Sequence, residues 1–143
     1  MGVNARHAHW VGALACFGSI WLAVGCRAQT DRDRDAELSR ILFAVERVRE
    51  ADYQAKGGAL RALEQESCAI AEICALRDLC ISGYQTHEQS VKLSQSVRGE
   101  MASADPLLLA KQLSQSEALL KTSRQQLAAC NQRATQLRHQ MAR

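Results

Sequence analysis

Proline, glycine and aromatic residues are scarce in this chain of 143 residues, which contains 1 proline, 8 glycines and 2 each of tryptophan, tyrosine and phenylalanine. All-β sandwiches and barrels need turn residues about every 8–12 positions, so this scarcity argues against them. The length allows one small domain and excludes a multidomain protein. The composition therefore favours a small body with a modest aliphatic core.

The sequence also lacks the common catalytic signatures. It contains no Walker loop and no GxGxxG, GxSxG or HExxH motif, which are the marks of phosphate binding, dinucleotide binding, serine hydrolases and zinc proteases. A thiol enzyme is the alternative that the six cysteines raise, but it would need a C-x-x-C pair, which is absent. We expect a protein that is not an enzyme and holds no cofactor.

The first 25 residues have the organisation of a secretory signal peptide. Residues 1–10 carry Arg6 and two histidines but no acid, and residues 11–24 form an uncharged apolar run that ends in small residues. A weakly basic start, a short apolar stretch and a small-residue boundary are typical of a signal that directs export. The run is short for a membrane span, which needs about 20 residues.

The boundary sequence AVGC (residues 23–26) resembles the lipobox of bacterial lipoproteins. In that family the cysteine receives a diacylglyceryl group, the chain is cut before it, and the new amine is acylated. The resemblance implies that residues 1–25 are removed and that Cys26 becomes a lipidated N-terminus carrying palmitate-type chains. Ala23 stands where leucine is more usual. The residue after the cysteine is Arg27, whereas an inner-membrane retention signal has Asp at this position. The expected location is therefore the outer membrane, and the sequence leaves open whether the protein lies on its periplasmic or its outer face.

The remainder of the chain is predicted to be all-α. Residues 26–35 are polar and alternate in charge, as in a solvated tether. Residues 36–56 carry apolar side chains at helical spacing, and Gly57 with Gly58 is expected to end that helix. Residues 36–143 are thus assigned to one helical domain.

Two longer helical segments follow. Residues 59–101 form the first, with a break expected near Ser67 and Cys68. A turn over residues 99–106 separates it from a helix over residues 107–141, for which Asp105 is the expected cap. We predict a small helical bundle in which these last two segments fold into a long antiparallel hairpin.

The last segment has apolar residues at every seventh position. The positions three residues further along, which would complete a coiled-coil interface and which we call the second seam, are only weakly apolar. The repeat consists of Leu113, Leu120, Leu127, Ala134 and Met141. Ser116 and Ser123 occupy the second seam, which disfavours an autonomous coiled coil, so packing along another helix of the same chain is preferred. The alternative is a structural coiled-coil spacer that oligomerises, loosely similar to murein lipoprotein. That family ends in a lysine that links to the cell wall, whereas this sequence ends in Arg143.

Four cysteines remain after Cys26, and an even number in an exported chain implies two disulfides. Bridged Cα atoms must lie within about 7 Å, so no two of Cys68, Cys74 and Cys80 can pair inside one continuous helix. When the hairpin is closed about its turn, Cys130 lies opposite residues 74–80. We favour Cys80–Cys130 together with Cys68–Cys74, and the alternative Cys74–Cys130 stays open.

The cysteine spacing also bears on other chemistry. Zinc sites favour two cysteines separated by two to four residues, and C-x5-C-x5-C does not provide this, so no metal site is expected. His87 lies two helical turns from Cys80, about 10 Å along the axis, too far to activate it. The segment EICALRDLC (residues 72–80), with the distant Cys130, is similar to small exported bacterial helical proteins with paired cysteines. That resemblance implies no activity.

Positive charge is concentrated in the last third of the chain. After Pro106 there are six lysines and arginines and a single acid, Glu117. Lys121, Arg124 and Arg138 mark a possible face for an anionic partner, although a simply solvated face is preferred. Nucleic acid is not an expected partner, because no aromatic residues are interleaved with the basic ones for base stacking.

The expected function is that of a lipid-anchored cell-envelope protein whose helical domain interacts with, or scaffolds, another component. Its expected partners are the membrane, reached through acyl chains on Cys26, and an unidentified envelope protein or anionic polymer.

Overall fold

The computed structural model describes the backbone of residues 19–101 and 105–141, and side chains from Thr30 onward within those ranges. Four α-helices follow one another along the chain, and no strand occurs in these ranges. The helices are α1 (Ser19–Glu50), α2 (Tyr53–Gln65), α3 (Ala71–Glu100) and α4 (Pro106–Met141). The all-α prediction is confirmed.

Helices α3 and α4 pack closely along each other as the long hairpin that the sequence predicts. The cap of α4 also lies where it was expected, because a side-chain oxygen of Asp105 accepts a hydrogen bond of 3.0 Å from the backbone N–H of Leu107. This bond satisfies one of the free donors at the start of the helix. Pro106, which has no N–H to satisfy, begins the helix.

The described chain divides into two compact units, which we treat separately. The first ends at Arg34, and its described part is the beginning of α1. Residues 35–143 form the second, which contains the rest of α1 and the three other helices. Within the described ranges, none of the helices combines the length and the hydrophobicity needed to cross a membrane.

The boundary between α1 and α2 differs from the sequence prediction. The first helix begins at Ser19, not at residue 36, so it runs through the residues 26–35 that were predicted to be a tether. It ends at Glu50, and both Gly57 and Gly58 lie inside α2. The reason is Asp52, whose carboxylate accepts a hydrogen bond of 2.8 Å from the N–H of Ala55 and caps a new helix.

The core of the second unit consists of aliphatic side chains from all four helices, together with the Cys80–Cys130 pair and the ring of Tyr84. Every member with zero exposure lies on a helix face that points inward: Leu38, Ile41, Val48, Leu63, Ile73, Leu76, Cys80 and Leu137. Burial of such side chains supplies the main favourable term in folding.

The break predicted near Ser67 and Cys68 is confirmed, because residues 66–70 separate α2 from α3. Three side chains hold this connection. Arg40 donates a hydrogen bond of 2.7 Å to the carbonyl of Ser67, and Arg77 donates one of 2.7 Å to the carbonyl of Glu66. Glu37 provides the third contact, described with the site below. The loop is therefore fixed to α1 and α3 by side-chain hydrogen bonds.

Candidate functional site

Cys80 and Cys130 form a buried disulfide between α3 and α4. Their Cα atoms lie 5.1 Å apart, and the exposed fractions of the two residues are 0% and 1%. Cys80 lies in the apolar stripe of α3, which includes the buried residues Ile73, Leu76, Cys80 and Tyr84, and from there it faces α4. The bond joins the two long helices near the centre of the core.

Cys68 and Cys74 form the second disulfide, with a Cα separation of 5.5 Å. Cys68 lies in the connection before α3 and Cys74 in the first turn of that helix. A helix boundary between the two residues permits a bridge that a continuous helix would forbid. The structure therefore contains the favoured pairing, and the alternative Cys74–Cys130 is not formed.

Glu37 joins α1 to the start of α3. Its Oε1 atom accepts hydrogen bonds of 2.9 Å from the backbone N–H groups of Ala69 and Ile70, in a residue that is 9% exposed. One ligand atom each from Glu37, Cys68 and Cys74 lies within 4.8 Å of the others. A metal ion would need free thiolates, whereas the two sulfur atoms are bonded to each other and the carboxylate already serves as a cap.

At Ser116, the weak second seam of α4 forms a serine network with α3, whereas the hydroxyl of Ser123 donates to the Leu120 carbonyl of α4 itself. The Oγ atom of Ser90 donates to the carbonyl oxygen of Ser116 at 2.9 Å, and the Oγ atom of Ser116 donates to the carbonyl oxygen of Ser90 at 3.0 Å. Ser94 approaches the same Ser116 hydroxyl at 2.6 Å. Because serine is small, the backbones of α3 and α4 can approach each other at Ser90 and Ser116. The two helices are linked there by buried hydrogen bonds, which apolar side chains could not form.

The predicted basic face of α4 is exposed but dispersed. Lys121, Arg124 and Arg138 are all exposed, and the first and last are separated by about 25 Å along the helix axis. The structure does not bring the three side chains together around one point. They form a solvated strip, in which Lys121 and Arg124 are neighbours on the helix surface and Arg138 lies too far away to contact the same small ligand.

A different group of side chains does converge, in a cleft near the end of α1 that sequence reasoning did not identify. Two cavities, of about 200 Å³ and 230 Å³, share Lys56 and His87 as lining residues. We call them together the Lys56–His87 cleft. The first cavity is completed by Arg49, Tyr84, Leu127 and Asn131, and the second by Tyr53, Gln54, Gly57, Glu88 and Val91.

Hydrogen bonds hold the polar end of this cleft in place. Arg49 donates to Asn131 Oδ1 at 2.6 Å and to Glu46 Oε2 at 2.8 Å. Its guanidinium also lies close enough to the Tyr84 phenol to affect the pKa of that group. Desolvation by burial raises the pKa of Tyr84 above its ordinary 10.0, and this effect outweighs Arg49, whose charge and hydrogen bond lower it. Tyr84 therefore stays a neutral hydroxyl at physiological pH.

The cleft was missed because its residues are far apart in the sequence. Arg49, Lys56, Tyr84 and Asn131 come from four different helices and form no local motif. His87, Gly57 and Leu127 were each considered from the sequence for other reasons, and His87 is partly buried. No spacing rule connects a residue in α1 with one in α4 before the bundle packing is known.

Several sequence-predicted features lie outside the described residues. Residues 1–18 are not described, and neither is the side chain of Cys26, on which the lipidation hypothesis depends. The terminal Arg143 also falls outside the described ranges.

Comparisons of the chain with protein-family models, with curated proteins and with solved structures find no match.

Proposed function

We propose that this protein is a lipid-anchored component of the bacterial cell envelope whose disulfide-bonded helical domain binds another envelope component without catalysing a reaction. Residues 1–25 act as the export signal, and Cys26 carries the acyl chains. The outer membrane is the proposed address, because Arg27 is not a retention residue. The partner is an envelope protein or an anionic polymer.

The observation that supports export most strongly is the pair of disulfides, Cys80–Cys130 and Cys68–Cys74. Disulfides form and persist in oxidising compartments such as the bacterial envelope and are rare in the cytosol. A chain that begins with a signal-like segment and pairs four of its cysteines fits that compartment. This argument is independent of the lipobox resemblance.

Acylation at Cys26 would give a durable anchor. One acyl chain gives only reversible membrane binding, whereas two or more hold a protein stably, since each buried methylene contributes about 0.8 kcal/mol. The helical domain then needs no membrane-inserting surface of its own.

Detergent-phase partitioning of the expressed protein tests the anchor. The wild-type protein should enter the detergent phase after processing, and Cys26→Ala should remain uncut and lose the acyl chains. Cys16→Ala is the matched control, because Cys16 lies within the segment to be removed, and it should behave as wild type. A Cys26→Ala protein that is still cleaved and still partitions would contradict lipidation at this residue.

A second candidate function, a spacer that self-associates, is favoured by apolar residues near the α3–α4 turn. Leu107 is 80% exposed and Leu108 47%, and an uncharged groove on the hairpin is lined by Leu93, Ala118 and Leu119 together with Gln115 and Thr122. A second copy could pack there without like-charge repulsion. Light scattering on the domain from residue 35 onward decides between the two: a stable dimer supports the spacer, and a monomer supports the interaction domain.

A further inference from the structure

We propose that the Lys56–His87 cleft binds a small molecule that carries a carboxylate or a phosphate group at one end of a short apolar body. The cleft lies wholly within the second unit of the chain. The inference therefore stands on the helical domain alone and does not depend on lipidation of Cys26 or on the envelope partner.

The first cavity is rich in hydrogen-bond donors. Lys56 offers up to three N–H donors, and His87 and the Asn131 amide offer N–H groups, while the neutral Tyr84 offers an O–H. The Arg49 guanidinium is turned toward the same space and is held there by its bonds to Asn131 and Glu46. A wall with many donors and few acceptors matches a group that only accepts hydrogen bonds, such as a carboxylate or a phosphate.

Charge leads to the same conclusion. Arg49 is compensated by Glu46, which lies 2.8 Å away. Within residues 30–101 and 105–141, no carboxylate forms an ion pair with Lys56. Lys56 is also partly buried, and its ammonium group is left available to donate charge-assisted hydrogen bonds to a bound anion.

The second cavity supplies most of the apolar surface of the site. Gln54 and Glu88 also line it, and the Glu88 carboxylate is paired with Lys92 at 2.7 Å. It continues from Lys56 and His87 to the side chain of Val91 and the ring of Tyr53, where α2 packs on α3. Tyr53 is fixed by a hydrogen bond of 2.8 Å that it donates to Gln95. With about 230 Å³ of space, this cavity accommodates a short hydrocarbon chain, as small-molecule sites commonly do with a few placed polar groups and an apolar lining.

The dispersed strip of α4 provides an internal comparison. Lys121 carries the same charge as Lys56, but it is exposed and lines neither cavity. If affinity came from net charge alone, the two lysines would be equivalent. If affinity comes from the cleft, only Lys56 matters.

The test is a titration of the purified full-length protein with hexanoate, hexyl phosphate and the neutral analogue 1-hexanol, followed by the NMR signals of His87 and Val91. The two anions should give saturable shifts of both residues, and hexanol should bind roughly tenfold more weakly or not at all, because it lacks the charge-assisted hydrogen bonds. The tighter of the two anions identifies the head group.

Variants locate the binding. Lys56→Gln should lower the affinity for the tighter-binding anion by roughly tenfold. Lys56→Arg should retain most of that affinity, and Lys121→Gln should bind the anion as tightly as wild type. Circular dichroism confirms that each variant is folded. The proposal is overturned if neither anion binds, if hexanol binds as tightly as the anions, or if Lys121→Gln weakens binding as much as Lys56→Gln.

Discussion

Ser90 and Ser116 each donate a side-chain hydrogen bond to the backbone carbonyl of the other across the α3–α4 interface. This reciprocal pair replaces the apolar contact that a seven-residue repeat would normally place there. Ser116 therefore contributes little to an apolar coiled-coil interface, but it makes specific hydrogen bonds to α3 within the same chain. A polar pair that must be satisfied inside the hairpin fixes the register of the two helices.

Replacement of Ser116 tests this role. Ser116→Ala removes the hydroxyl that bonds Ser90 and Ser94 and should lower the free energy of unfolding by about 1 kcal/mol. Ser114→Ala, on the exposed face of the same helix, is the matched control and should change it by less than about 0.5 kcal/mol. Urea denaturation measures both, and equal effects of the two variants would show that the serine network does not stabilise the hairpin.

Two glycines should respond in opposite directions to alanine. A Cβ atom on Gly83 would lie 2.8 Å from Leu127 Cδ2 and 3.2 Å from the Leu127 backbone nitrogen, so Gly83→Ala overpacks the interface and should cost about 1–3 kcal/mol. A Cβ atom on Gly58 meets nothing within 4 Å. Because Gly58 lies inside α2, Gly58→Ala should stabilise the domain by up to about 1 kcal/mol.

The Gly58 variant also decides where the helix ends. If Gly58 terminated a helix in a left-handed conformation, as the sequence suggested, alanine there would destabilise the protein. Thermal denaturation therefore distinguishes an α2 that begins at Tyr53 from a helix that ends at Gly57 and Gly58.

The two disulfides should differ in their contribution to stability. On the chain-entropy estimate, the loop of about 51 residues closed by Cys80–Cys130 is worth roughly 4 kcal/mol and the short Cys68–Cys74 loop roughly 2 kcal/mol. The double variant Cys80→Ala/Cys130→Ala should thus lose more of the free energy of unfolding than Cys68→Ala/Cys74→Ala, the matched control for loss of one bond. If Cys68→Ala/Cys74→Ala lost more of the free energy of unfolding than Cys80→Ala/Cys130→Ala, the conclusion that Cys80–Cys130 is the more stabilising disulfide would be wrong.

Tyr84 makes stability depend on pH in the alkaline range. Its pKa is raised in the folded state by burial, so the folded protein retains the phenolic proton at a pH where the unfolded chain releases it. The stabilisation is fully present below the unfolded pKa of 10.0 and is lost as pH rises through the folded value. Urea denaturation on both sides of pH 10 should show this decline in wild type and a smaller one in Tyr84→Phe.

The sequence carried enough information for the hairpin. The apolar stripe of α3, the Asp105–Pro106 start of α4 and the opposed positions of Cys80 and Cys130 all depend on local spacing, which helix geometry converts directly into a register. The break before Cys74 followed from the same argument, since Cys68 could pair with Cys74 only outside a continuous helix.

Other features depend on contacts that spacing does not reveal. Asp52 competes with the glycine pair as a helix boundary, and its cap bond to Ala55 decides the outcome. Glu37 reaches the free N–H groups of Ala69 and Ile70 from another helix. The Lys56–His87 cleft exists only because the packing of four helices leaves space there, so it could not be predicted before the packing was known.

The most direct test of the proposed function is mass spectrometry of the N-terminal peptide of the protein purified from the envelope. The account predicts a peptide that begins at Cys26 and carries the mass of a diacylglyceryl group and an amide-linked acyl chain. An N-terminal peptide that begins before Cys26, or one that begins at Cys26 without acyl chains, would contradict it.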